Sequence, residues 1–119
     1  MKLKINKTIP SIALVILLVL SSTQLNAQIM NGNRLVEYMY EYDKAKVNTS
    51  GANFIYAGYF TGYVVAIYDM SFYLINTPAQ IITKQICEIV SKYLKEHPER
   101  WTEMASILVV DALKAAFPK

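Results

Sequence analysis

The sequence holds a single cysteine, Cys87, so no internal disulfide can form. An exported domain of this size usually relies on an even set of cysteines, which leaves packing, self-association or both to hold this one. Histidine is equally scarce, with His97 alone. A structural zinc site needs about four Cys or His ligands, so none can be built here, and no cofactor is expected. The longest unbroken apolar run, Ile12 to Leu20, falls well short of the roughly 20 residues of a membrane span. No cysteine stands close behind that run, which excludes a lipoprotein anchor.

What surrounds the run explains most of the charge. Lys2, Lys4 and Lys7 precede Pro10, Ser11 and the apolar stretch, and a polar segment then ends in Leu25-Asn26-Ala27. A basic start, a short apolar core and a small terminal residue form a secretory signal peptide. Cleavage is expected after Ala27, so residues 1–27 are a signal peptide and 28–119 the working domain. A retained N-terminal anchor is the alternative. The formal charge of +3 belongs to the three leader lysines. Without them the chain is neutral and carries no basic cluster, which argues against nucleic acid as a partner. All the aromatics, nine tyrosines among them, lie in the mature part.

The hydrophobic spacing of that part reads as helix throughout, and the expected fold is an all-α, four-helix domain. A first helix covers 33–46, with Leu35, Tyr38, Met39 and Tyr42 on one face. Asn48-Thr49-Ser50-Gly51 ends it as a turn. The second, roughly 52–73, is apolar almost all round: Tyr56, Tyr59, Phe60, Tyr63, Ile67 and Met70 form one face, and Val64, Val65 and Tyr68 lie on the remaining side. Gly58, Gly62 and Ala66 form a smooth stripe for a neighbouring helix or a second copy. Asp69 continues that stripe, as a cap or pair for the next element or as a partner contact. A second membrane span over 54–75 has a small-xxx-small motif in its favour, but Asp69 and the central tyrosines oppose it. Thr77, Pro78 and Gln80 have the form of a capping box, and Thr83 is a second cap candidate. The third helix covers 84–96, with Glu88 and Lys92 ordered as an i,i+4 pair. His97-Pro98-Glu99 restarts a fourth helix reaching Phe117, whose Ile107 and Val110 form a candidate dimer or partner patch.

Catalysis has no assembled constellation. Cys87 and His97 lie about 15 Å apart along a helical interval, beyond the reach of a nucleophile–base pair. Cys87 reads as a small core hydrophobe and His97 as a junction residue. The carboxylates Glu37/Glu41 and Glu96/Glu99/Glu103 sit among basic residues on solvated faces. Gly58-x-x-x-Gly62 follows no strand and is no phosphate loop.

In order and spacing, the residues of the mature part resemble the Rap/Tai-type periplasmic immunity proteins of type VI secretion systems. The matching pieces are Gly32, Leu35 and Met39; Tyr56 before Gly58-Tyr59-Phe60-Thr61-Gly62; Asp69; Asn76-Thr77-Pro78 and Thr83-Lys84-Gln85; and Tyr93-Leu94, His97-Pro98-Glu99, Ala105, Ala112-Leu113 and Phe117-Pro118. The departure is systematic: positions 39, 56, 76 and 119, where the family has cysteine, carry Met, Tyr, Asn and Lys. Each missing bridge would have contributed ~2–4 kcal/mol; packing of Met39 and Tyr56 is one expected substitute.

The resemblance implies a small helical homodimer, without catalytic activity of its own, that binds a toxic effector. The effector is commonly a peptidoglycan amidase, whose cleft a protruding loop blocks. Two segments are candidates for that loop: 69–82, with Asp69, Asn76, Thr77 and Gln80, and the junction of His97, Glu99 and Arg100. The alternative from another class is a periplasmic holdase-like chaperone or stress protein that binds clients non-specifically.

Overall fold

The computed structural model describes residues 9–21, 29–48 and 50–119. Helix α1 spans Ile9–Ser21, α2 Gly32–Lys46, α3 Phe54–Ser71, α4 Thr83–Glu96 and α5 Ala105–Ala116; short 3-10 turns cover Phe72–Leu74 and Pro98–Arg100. The fold is all-α. No helix among the described residues is long and apolar enough to cross a membrane. Helix α1 holds the apolar run Ile12 to Leu20, and the expected cleavage site at Ala27 lies outside the described residues.

Each helix start has a chemical cause. The Asn31 side chain accepts the Arg34 N–H at 3.1 Å, and that of Asn53 accepts those of Ile55 and Tyr56 at 3.1 Å. Both satisfy amides that a helix leaves without intrahelical partners. The Asn53 N–H in turn donates to Glu41 at 2.7 Å, tying the start of α3 back to α2. Asn48 (φ 53°) and Gly51 (φ 92°) carry the left-handed conformations of the intervening turn, which Asn tolerates and Gly adopts without strain.

Two expected helix starts are corrected. Thr77 and Gln80 do not cap a helix, because residues 76–82 are not helical and α4 begins at Thr83. Ile75 is extended and buried, and the Asn76 N–H donates to the Phe117 carbonyl at 3.2 Å, which draws the chain across the end of α5. Thr83 is the first helical residue rather than the cap; Gln85 Oε1 accepts the Ile82 N–H at 3.0 Å. The last long helix begins at Ala105, well beyond the His97-Pro98 restart. The delay arises because the residues before it pair with the approach to α2. The Gly32 and Asn33 N–H groups donate to the Glu103 and Trp101 carbonyls at 2.9 and 2.7 Å, and the Ala105 N–H donates to Met30 at 2.9 Å.

That pairing depends on Gly32. A Cβ there would lie 2.7 Å from the Trp101 Cα and carbonyl oxygen and 2.5 Å from Leu108 Cδ1. The Leu108 tip can swing away; the Trp101 backbone cannot.

The core lies where α2, α3, α4 and α5 meet, around Leu35, Met39, Phe60, Val64, Leu94 and Leu108, all essentially inaccessible to solvent. On α3 the buried face is Ala57, Phe60, Val64 and Ser71. Of the face that carries Phe60, Tyr59 and Met70 are exposed, while Val64 from the remaining side is buried. A helix apolar on every side does not reveal by pattern which side is buried. Cys87 is fully buried, as expected.

Ion pairs join the outer ends of α2 and α4. Lys46 contacts Glu88 at 2.6 Å and Asp43 at 2.9 Å, while Lys95 reaches Asp43 at 2.6 Å. The expected Glu88–Lys92 pair is therefore replaced, Glu88 by turning to Lys46 and Lys92 by facing Glu96 at 3.8 Å. Burial acts to raise the Asp43 pKa, but its bonds to Lys95 and Lys46 outweigh that and hold it below the ordinary 3.8.

Two outcomes follow from these contacts. Gly32→Ala should lower stability by about 1–3 kcal/mol, the usual range for forced overpacking, read as a lower urea midpoint with an unchanged slope. Gly58→Ala, at a helical glycine with open space around it, should not lower it. The depressed Asp43 pKa means that the unfolded chain takes up its proton first as pH falls. Its contribution is full above pH 3.8 and is lost as pH drops through the folded value. Asp43→Asn should therefore lower stability at pH 7 by about 1 kcal/mol and flatten the acid limb of a stability–pH curve.

Candidate functional site

The two loop candidates differ in how their polar groups are used. Segment 76–82 is fastened at its base and open at its tip. Ile75 is buried and Ile81 packs partly against the core, so both ends are anchored. The Tyr68 hydroxyl lies 3.3 Å from the Thr77 hydroxyl. The Lys119 ammonium donates to the Tyr73 carbonyl just upstream. Between these ties Asn76, Pro78, Ala79 and Gln80 are exposed. The side chains of Asn76 and Gln80 have no hydrogen-bond partner among the described residues. This is a short pre-shaped loop with free amides at its surface.

The junction at 97–104 has spent its polar groups internally. The His97 ring packs on Tyr93 with centroids 4.3 Å apart, and its Nδ1 lies 3.1 Å from Glu99. Arg100 forms a fork to Glu103 at 2.7 and 2.8 Å, reaches Asp111 at 2.7 Å and donates to the Tyr93 hydroxyl. The bonds to Glu103 and Asp111 raise the Arg100 pKa further, and Arg100 lowers that of Glu103. Trp101 closes the group by donating its indole N–H to the Leu94 carbonyl at 2.8 Å. Sequence reasoning placed Arg100 among partner contacts; its guanidinium instead braces α4, α5 and the turn between them. Asp111 was not picked out, and the spacing to Arg100 across a non-helical bend gave no periodic signal for it.

Asp69 is exposed near the end of α3 and pairs with no described residue, so the expected capping or pairing role is corrected. For the small stripe, the packing of a neighbouring helix is corrected: Gly58, Gly62 and Ala66 are all exposed, and nothing lies within 4 Å of a Cβ built on either glycine. Among the described residues no helix packs there. On α5, Ile107 is 45% exposed and Val110 half-buried.

One further cluster was not singled out from sequence. Arg34 lies over the rings of Tyr38 and Tyr56 at 5.3 and 5.9 Å, bonds Glu37 at 2.8 Å, and leaves half of its side chain exposed. Tyr59 joins Tyr38 and Tyr56 at 5.4 and 6.2 Å. The i,i+4 spacing of Arg34 and Tyr38 was the available signal.

Nothing here assembles a reactive centre around the thiol. Burial raises the Cys87 pKa, the opposite of what a nucleophilic or metal-binding thiolate needs. Its neighbour Tyr42 is pushed up to about 12, again chiefly by burial. Among the described residues no cluster of three or more His, Cys, Asp or Glu side chains is placed to hold a metal ion.

What the geometry offers is a presented loop on a braced helical body. The family model of the Rap1a immunity proteins matches residues 31–118. The chain belongs to the Rap1a immunity protein family. Its first matched residue is the Asn31 cap, beside the glycine that makes the close approach, and the match runs through both loop candidates to the end of α5. No curated protein matches the chain. Membership makes a cognate secreted effector the partner class of this Rap1a-family chain.

The contrast between the loops is testable without that partner. Arg100→Met should lower the melting temperature by several degrees, because it leaves Glu103 and Asp111 without their shared cation. Gln80→Ala should leave the melting temperature unchanged within about 1 °C, since surface positions without partners shift stability little.

Proposed function

We propose that this protein is exported by its signal peptide and acts in the periplasm as an immunity protein. It binds and inhibits a cognate type VI secretion effector, a peptidoglycan amidase, as a homodimer and without catalysis of its own. The observation that carries this reading is the loop 76–82, whose base is held by Ile75, Ile81 and Thr77 while Asn76 and Gln80 stay exposed and unpaired.

A loop ordered before binding loses less conformational entropy on docking. Its side chains also suit the task. Uncharged amides can donate to and accept from the backbone and side chains that line a hydrolase cleft. Pro78 limits the backbone freedom of the tip. Inhibition needs no more than steric occupation of the cleft, which accords with a chain whose one thiol is buried. Ile107 and Val110 on α5 are candidate contacts for the effector or for a second copy.

The test is co-expression with a periplasm-directed toxin encoded beside the gene. The chain should restore growth and form a complex on gel filtration. Asn76→Ala with Gln80→Ala should weaken the complex at least about tenfold, a plausible loss for two buried interface hydrogen bonds. Glu99→Ala should change affinity by less than about threefold. Absence of both rescue and complex would remove the reading. Loss of affinity through Glu99 alone would move the inhibitory element to the junction.

A further inference from the structure

The chain turns two aromatic side chains outward just where it leaves α3. Phe72 is 67% and Tyr73 60% exposed, while Ser71, the small polar residue before them, is buried. Leu74 packs partly on the core and Ile75 is buried. A segment folding for its own stability would bury the rings and leave the serine in water. Here the core takes Ser71 and Ile75 and excludes both rings. Scattered apolar surface residues need no explanation, but two adjacent large rings set outward beside a buried serine are informative. They are also held in place. The rings meet edge to face with centroids 6.0 Å apart on the 3-10 turn Phe72–Leu74. Beside them the Lys119 ammonium donates to the Tyr73 carbonyl, and the Asn76 N–H donates to the Phe117 carbonyl. Rings fixed before contact lose little freedom when they are covered.

Their position decides what covers them. Tyr73 stands three residues ahead of Asn76, so the two Cα atoms lie within about 11 Å of each other. A standard protein interface buries about 800 Å² on each partner, a patch roughly 30 Å across. Whatever takes in Asn76 and Gln80 therefore meets both rings. On the other side of the loop Ile82 is 58% exposed. No residue from 70 to 83 is charged, and Asp69 and Lys84 stand at the two ends. Rings and amides without charge, flanked by charged residues, have the composition of an interface centre with its rim.

We propose that Phe72 and Tyr73 are the anchor of the effector contact, entering an uncharged, apolar recess at the rim of the cleft that receives loop 76–82. This rests on the inhibitory role proposed for that loop and adds what the effector must present beside its cleft. The loop amides fix orientation, and the rings supply most of the affinity. Phe72 fills the recess, while Tyr73 keeps its hydroxyl at the wet edge.

The test is calorimetric titration of the chain, expressed from its full sequence, with the purified toxin encoded beside the gene. Phe72→Ala and Tyr73→Ala should each weaken the complex at least about tenfold, as removal of an interface anchor does. Phe72→Met keeps an apolar side chain of similar volume and should bind within about fivefold of the wild type. Each variant should keep its helical circular dichroism and melt within about 2 °C of the wild type, because exposed side chains shift stability little. No complex with the wild type would remove the proposed function and this proposal together. Loss of affinity in Asn76→Ala with Gln80→Ala, but not in Phe72→Ala or Tyr73→Ala, would keep the loop and overturn the anchor alone. Phe72→Met binding as weakly as Phe72→Ala would overturn the apolar recess. A wild-type dimer that Phe72→Ala dissociates, with effector affinity unchanged, would give the rings to a second copy and overturn the anchor as well.

Discussion

The close approach at Gly32 is the constraint on which the rest of the structure depends. The first residue of α2 lies against the Trp101 backbone with no room for a Cβ. That contact lets Met30, Gly32 and Asn33 pair with Trp101, Glu103 and Ala105. The start of α2 is thereby fastened to the bend that feeds α5, segments far apart in sequence. It delays α5 to Ala105, orients the Arg100 fork toward Glu103 and Asp111, and places Leu108 against the rest of the core. A glycine at the first helical position is costly for the helix alone; here it permits a tertiary contact that no other residue could make.

Stability without disulfides follows from how the segments around positions 39, 56, 76 and 119 are tied. Met39 is fully buried, and Tyr56 stacks edge-on with Tyr38 at 4.9 Å. Asn76 donates its N–H to Phe117, and Lys119 donates to Tyr73. The second set joins the loop 76–82 to the C-terminus where a covalent link is absent. Hydrogen bonds hold a loop less rigidly than a bridge does, and the exposed Lys119–Tyr73 bond competes with water. The loop therefore relies on the burial of Ile75 and the partial burial of Ile81 for its position.

Much of the fold was legible in the sequence because its helices carry strong local signals. Helix α4 and the turn residues Asn48 and Gly51 reach the structure nearly unchanged. Two kinds of feature were not legible. The orientation of α3 was hidden because a helix apolar all round has no periodic contrast, so nothing in the pattern shows that Val64 is buried while Tyr59 and Met70 are exposed. The capping box read at Thr77 to Gln80 and the early start of the last helix gave way to long-range pairing, Asn76 with Phe117 and Trp101 with Asn33, which no local motif encodes. The site was partly legible. Asn76 and Gln80 stand exposed on a loop, while Arg100 was chosen for its charge and proved to be a brace. A charged residue beside a proline turn looks the same in sequence whether its partners are solvent, another protein, or an aspartate one helix away.

Loop 76–82, two surfaces rich in apolar side chains and a formally neutral stretch 28–119 describe a protein that works by fit. Its polar groups are free where a partner is to be met and saturated where the body must stay rigid. Hydrogen exchange on the chain alone and in complex with its effector tests this division most directly. The account predicts strong added protection across 76–82 and no change across 97–104. Added protection confined to 97–104, with 76–82 exchanging as in the free chain, would contradict it.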